Sequence, residues 1–172
     1  DHPGLAETVA NMWETMYHAD GVGLAAPQVG LPIRLFVIDT LQIESEEDEG
    51  SKGTGFKKVF INARKVEETG KPCAYEEGCL SIPKIRGDVE RPDTIRLHYM
   101  DENFVEHEET FDSVNARVIQ HEYDHLDGII EAAETLARQR FVGAGGASDQ
   151  GDAGRQEIRD LGQRLAIAVE QE

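Results

Sequence analysis

The sequence has little with which to cross a membrane, grip a polyanion or staple itself together. No apolar run approaches the ~20 residues that a membrane-spanning helix needs. No leader pattern of basic, apolar and small-residue regions is visible from Asp1. Cationic side chains are scarce: 17 Lys and Arg stand against 34 Asp and Glu, a formal net charge of −17. Nucleic-acid backbones and anionic membrane surfaces repel such a chain, so neither direct nucleic-acid binding nor membrane association is expected. Cysteine is scarce as well. Cys73 and Cys79 are the only two, which excludes a disulfide framework and fits a reducing, cytoplasmic setting where a thiol is free or a ligand. What is present suits one globular domain: 172 residues, 39% hydrophobic and 30% charged, a size that buries a real core without cross-links.

Residues 5–20, LAETVANMWETMYHAD, set Leu5, Val9, Met12, Trp13 and Met16 at helical spacing, which predicts an amphipathic helix with one buried stripe. GVGLAAPQVGLP then breaks it with glycines and prolines. IRLFVIDT (33–40) is β-branched and aromatic and predicts a buried strand. IESEEDEGSKGTG (43–55), with its acidic run at 44–49, reads as a solvated loop. KKVFINARKVEE (57–68) resumes as a strand, and DTIRLHYMDENFVEHEETF (93–111) alternates as a hairpin around Asp101, Glu102 and Asn103.

SVNARVIQHEYDHLDGII (113–130) is helical in pattern, with Val114, Val118, Ile119, His121, Glu122, His125 and Leu126 on one broad face. Asp112 or Ser113 is available as N-cap and Gly128 as the stop. Beyond Leu136 the composition turns Gly-rich, so residues 1–136 are expected to form one domain. Residues 137–172 then read as a linker followed by a candidate final helix bearing Ile158, Leu161, Leu165 and Val169. Strands and helices do not alternate regularly, which predicts the α+β class.

The chemistry concentrates in VIQHEYDHLDG (118–128), where His121, Glu122 and His125 form a His-Glu-x-x-His pattern. Residues four apart on a helix are offset by only about 40°, so the two imidazoles project together and suit one cation. Glu122 leaves the helix beside them, placed to take a proton from a water at that cation. A catalytic site also needs a third ligand and an open fourth position. No histidine follows His125. Glu157 would serve in a zincin-type metalloprotease, but it lies beyond the Gly-rich stretch. Cys79, in EEGCLSIP, offers a soft thiolate suited to iron or zinc. The Gly78–Cys79 context suggests a backbone shaped to present that thiolate, with the Leu80 N–H nearby as a donor. Cys73 and Cys79 together would instead close a structural zinc site with the two histidines, without catalysis. The residue pattern alone leaves these readings open.

Three stretches in order, GVGLAAPQ (21–28), EGCLS (77–81) and QHEYDH (120–125), are similar to the signature motifs of the peptide deformylases. The resemblance runs from about residue 5 to about residue 130. It implies an α+β fold with small mixed or antiparallel sheets packed around a central helix carrying the two histidines. It implies that residues 1–136 are catalytic and hydrolyse the N-formyl group from the formyl-methionine of newly synthesised polypeptides. One divalent metal is implied, natively Fe(II), with Zn, Ni or Co as substitutes. Cys79, His121 and His125 would be its ligands and Glu122 the general base. Gln28 and the Leu80 backbone N–H would support the oxyanion. Gly23 would pair with the substrate backbone, Val22 would touch the methionine pocket, and Arg86 would stand near the peptide entrance. Nascent formyl-Met polypeptides are the implied partners, with transient ribosome association left open. Asp124 reads equally as an acceptor behind a ligand or as a solvated carboxylate on the outer face. The chain also departs from the family pattern: it opens inside the first helix, its segment after Gly128 is dissimilar, and Arg117 stands in a turn before His121 that tends to be apolar in the family.

Overall fold

A computed structural model describes residues 4–43, 55–79 and 82–129, with backbone alone over 82–85. Within them one five-stranded sheet runs in the order β1 (Gly23–Ala25), β2 (Leu35–Asp39), β3 (Lys57–Cys79), β4 (Ile82–Met100) and β5 (Glu106–Asp112). Every pairing among these strands is antiparallel. Helix α1 spans Leu5–His18 and helix α2 spans Ser113–Leu126. The α+β class holds, with the histidine-bearing helix laid against the sheet. The acidic run at 44–49, Leu80, Glu157 and the whole of 137–172 lie outside the described residues.

Strand β2 explains the layering. Successive side chains point to opposite faces of a strand, and all five residues of β2 are buried. Phe36 and Ile38 face a core shared with Phe60, Leu97, Tyr99, Ala116 and Ile119, under α2. Leu35 and Val37 face a second core with Met12, Met16, Leu24, Val59 and Ile61, under α1. The sheet is therefore covered on both faces, which is why LFVID reads as a continuous apolar run ending at a buried aspartate. Phe60 anchors the α2 side, with ring centroids 4.7 Å from Phe36 and 4.5 Å from Tyr99. On α1 the predicted stripe is in place: Met12 and Met16 are buried and Leu5, Val9 and Trp13 pack against the same core. Burying each methionine contributes about 1.5–3 kcal/mol.

The strand predicted over 57–68 continues to Cys79. Gly70 and Pro72 signal a break in sequence, yet the pairing absorbs them in an irregularity between Thr69 and Pro72. Such residues are tolerated because β2 pairs with β3 only up to Ile61, and β5 pairs with β4 only from Thr94 onward. From Pro72 to Cys79, β3 has β4 as its sole described partner, so a two-stranded ribbon projects from the sheet. Helix α2 ends where Gly128 suggested. Gly128 takes φ +75°, its N–H donates to the His125 carbonyl, and the Ile129 N–H donates to that of Asp124. Asp112 occupies the N-cap position.

Candidate active and metal-binding site

Helix and ribbon converge to make the site. His121 and His125 lie one turn apart on α2, ring centroids 5.0 Å apart, and Cys79 comes from the end of β3. At Cys79 the ribbon breaks register: Gly78 pairs with Arg86, but Cys79 pairs with Ile82. One donor atom from each of Cys79, His121 and His125 lies within 4.8 Å of the others, and the Cys79 Sγ–His125 Nε2 distance is 3.2 Å. Two imidazoles and a thiolate form a donor set suited to a borderline-soft divalent ion. Cys73, by contrast, is exposed and turned toward the Ala74 carbonyl, outside this group. The four-ligand structural site therefore does not form.

Burial and charge shape the metal-free site. Burial opposes ionisation of the Cys79 thiol, but hydrogen bonds and charge from His121 and His125 prevail and bring it down to about 5. Burial likewise opposes protonation of His121, yet its bonds to Cys79 and Glu77 raise it to about 10. Glu122 is 4% exposed, and burial pushes its carboxyl above the usual range despite the neighbouring histidines. Its Oε2 is buried without a hydrogen-bond partner. An orphaned carboxylate oxygen is costly in an apolar setting; Glu122 also lines a cavity of about 680 Å³ with Val22, Gln28, Cys79 and His121.

The β1 segment supplies the opposite wall. Gly23 pairs with Ile38 of β2. A Cβ on Gly23 would lie 2.5 Å from Glu122 Oε1 and 2.8 Å from its Cγ and Cδ, so only glycine lets strand and carboxylate come this close. The turn Ala26–Val29 holds Gln28, whose Oε1 accepts a hydrogen bond from the Ala25 N–H at 2.8 Å. That bond aims the amide nitrogen inward, 3.7 Å from Cys79 Sγ. Val22 is half-buried in the cavity wall. Arg86 also lines the cavity, but it is exposed and pairs with Glu76 at 3.3 Å.

Sequence reasoning missed the groups that support the ligands. Glu77, not Asp124, is the carboxylate behind a histidine: its Oε2 lies 3.0 Å from His121 Nδ1. Arg91 grips Glu77 with Nε and Nη2 at 2.8 and 3.0 Å and reaches Asp124 with Nη1 at 2.6 Å. Asp124 is thus neither a solvated carboxylate nor the acceptor behind His121; its partner is Arg91. Burial opposes ionisation of Glu77, but its bonds from His121 and Arg91 hold it down at about 2. The same burial opposes the charge on Arg91, and Glu77 and Asp124 overcome it, so its pKa is raised. One signal was available for Glu77: it stands two residues before Cys79, and strand alternation puts both on one face.

The chain is similar to known proteins in both sequence and fold. The sequence profile of the family described as polypeptide deformylase matches residues 1–139. A peptide deformylase of Flavobacterium johnsoniae is 56% identical over 134 residues, covering 76% of this chain and 68% of the relative. That of Christiangramia forsetii is 54% identical over 134 residues with the same coverage. Among solved structures, a peptide deformylase of Synechococcus elongatus in complex with actinonin superposes with a TM-score of 0.65. It is 40% identical and spans 78% of this chain and 74% of that one. The Thermotoga maritima peptide deformylase gives 0.63 at 40% identity, over 74% and 78%. This chain belongs to the polypeptide deformylase family, whose members are metal-dependent hydrolases.

Proposed function

We propose that Cys79, His121 and His125 hold the single divalent ion of this deformylase, natively Fe(II), with Zn, Ni or Co able to replace it. The reaction is hydrolysis of the N-formyl group from the N-terminal formyl-methionine of newly synthesised polypeptides, with release of formate. The observation that carries the site assignment is the meeting of three metal-ligating atoms within 4.8 Å of one another beside a buried carboxylate with an unpaired oxygen.

A formamide is a poor electrophile, so its hydrolysis needs a strong nucleophile and stabilisation of charge on the carbonyl oxygen. When bound, the ion supplies Lewis acidity that polarises a carbonyl and makes water nucleophilic near neutral pH. Glu122, which lines the cavity, takes a proton from the attacking water and returns it to the departing amine. Gln28 donates its side-chain amide to the developing oxyanion, a contribution of about 2.7–4 kcal/mol for such donors. The Leu80 N–H is the second donor in this reading. Gly23 offers β1 backbone to an extended peptide, Val22 borders the methionine side chain, and Arg86 meets the peptide at the rim.

Nascent chains as substrate support a cytoplasmic location, and no described helix is long and apolar enough to cross a membrane. The net charge of −17 supports capture of the nascent chain itself over direct contact with RNA, so any ribosome association is transient. Metal analysis of anaerobically purified protein, paired with formate release from a formyl-Met peptide, tests the proposal. Glu122→Ala is expected to keep the metal and lose nearly all turnover; normal turnover in that variant refutes the mechanism.

A further inference from the structure

The ion's ligands are divided between α2 and the ribbon, and the ribbon has no described sheet neighbour beyond Pro72. A lone two-stranded ribbon is marginal in water. The position of Cys79 relative to the histidines therefore depends on what ties ribbon to helix. Arg117, Gln120, His121 and Asp124 share one stripe of α2 at i, i+3, i+4 and i+7 spacing. Each makes a hydrogen bond to the ribbon or its base: Gln120 to the Pro92 carbonyl at 3.1 Å, His121 to Glu77, and Asp124 to Arg91. Arg117 is the most widely connected of the four. Its Nη1 donates to the Val89 carbonyl at 3.0 Å and to Glu77 Oε1 at 3.2 Å, and its Nη2 donates to the Cys73 carbonyl. One guanidinium thus grips β3, β4 and the carboxylate behind His121, while only 11% exposed. A planar fork with five donors suits such a junction, and a lysine cannot reproduce it.

We propose that Arg117 is a positioning residue that locks the ribbon onto α2 and thereby sets the spacing between Cys79 and the two histidines. Metal retention, and not affinity for the peptide, then depends on it. The inference rests on the ligand assignment given above. It accounts for a cation at this largely buried position, because the partners of Arg117 are two strand carbonyls and a buried carboxylate.

The test uses the full chain and two readouts. Amide hydrogen exchange on metal-free protein reads the ribbon docking whatever the ligands are. Loss of Zn to a chelator reads its consequence. Arg117→Met keeps the buried stem and removes the donors. Its ribbon amides over 72–92 are expected to exchange faster while those of β2 and α1 stay as in wild type. Zn affinity is expected to fall about 10–100-fold, the usual cost of losing a group that orients metal ligands, with KM for a formyl-Met peptide unchanged in the loaded enzyme. Arg117→Lys should lie between the two. Wild-type exchange or wild-type Zn retention in Arg117→Met overturns the proposal, as does a rise in KM with the metal retained. If Arg117→Met does not fold, Arg117→Lys decides: faster ribbon exchange with faster Zn loss supports the role, and wild-type behaviour in either overturns it. Zn retention by a His121→Ala, Cys79→Ser double variant would instead defeat the ligand assignment and leave the exchange result standing.

Discussion

Glu77 offers the sharpest quantitative test, because one buried carboxylate joins His121, Arg91 and Arg117. Its carboxyl is held down from 4.5 to about 2, against the cost of burial, by hydrogen bonds and charge from His121 and Arg91. At about 1.4 kcal/mol per pH unit this depression corresponds to roughly 3 kcal/mol of stability. The side chain is only 5% exposed, so little is lost to solvent screening. The sign follows from the direction of the shift. A carboxyl with a lowered folded-state pKa contributes fully above the unfolded value of 4.5 and loses its contribution as pH falls toward 2. Glu77→Gln removes the charge while keeping the shape, so it should cost about 3 kcal/mol near neutral pH. For a chain of this size that lowers Tm by roughly 6–12 °C. Chemical and thermal unfolding of metal-free wild type and variant, from neutral pH down through 4.5, is the assay. The gap between the two should shrink steadily below 4.5, because a protonated glutamate and a glutamine are near-isosteres. A gap that does not change with pH, or no gap at all, refutes the reasoning.

Gly23→Ala should lower kcat by about a hundredfold with little change in metal content, since displacing a catalytic group by about 1 Å has that order of effect. Steady-state kinetics with metal analysis checks it, and wild-type kcat refutes the close-contact argument drawn from the 2.5 Å approach to Glu122. Cys73→Ser should keep metal and activity and Cys79→Ser should lose both; metal loss from Cys73→Ser would overturn the three-ligand site. Zn uptake near neutral pH should release about one proton from His121, raised to about 10, and none from Cys79, already a thiolate with its pKa at about 5. Below about 5 the Cys79 proton should add to the release and weaken binding further. Calorimetry in buffers of different ionisation enthalpy counts these protons, and no release at neutral pH refutes the assignment.

Much of this was legible in the chain itself. Helical spacing marked Met12 and Met16, and four-residue spacing marked His121 and His125, because both patterns follow from the pitch of a helix. The apolar run at β2 announced a strand, and Gly128 announced the end of α2 through its positive φ. Other features were not legible. Strand β3 runs past Gly70 and Pro72 because it has no outer neighbours there among the described residues, and nothing local in GKPCAYEEG records that freedom. Asp124 stood beside the histidines in sequence, yet its carboxylate turned to Arg91 once that side chain arrived from β4.

The sequence by itself determined which donors exist: a thiolate, two imidazoles at one helical turn, a glutamate beside them, and a glycine-bearing segment able to lie close. Covalent spacing and backbone preference suffice for that. Only the tertiary structure decided what faces those donors. Glu77 lies 44 residues from His121, 14 from Arg91 and 40 from Arg117. Such partners meet only when the ribbon folds onto α2, and a buried charge survives there only because all of them arrive together.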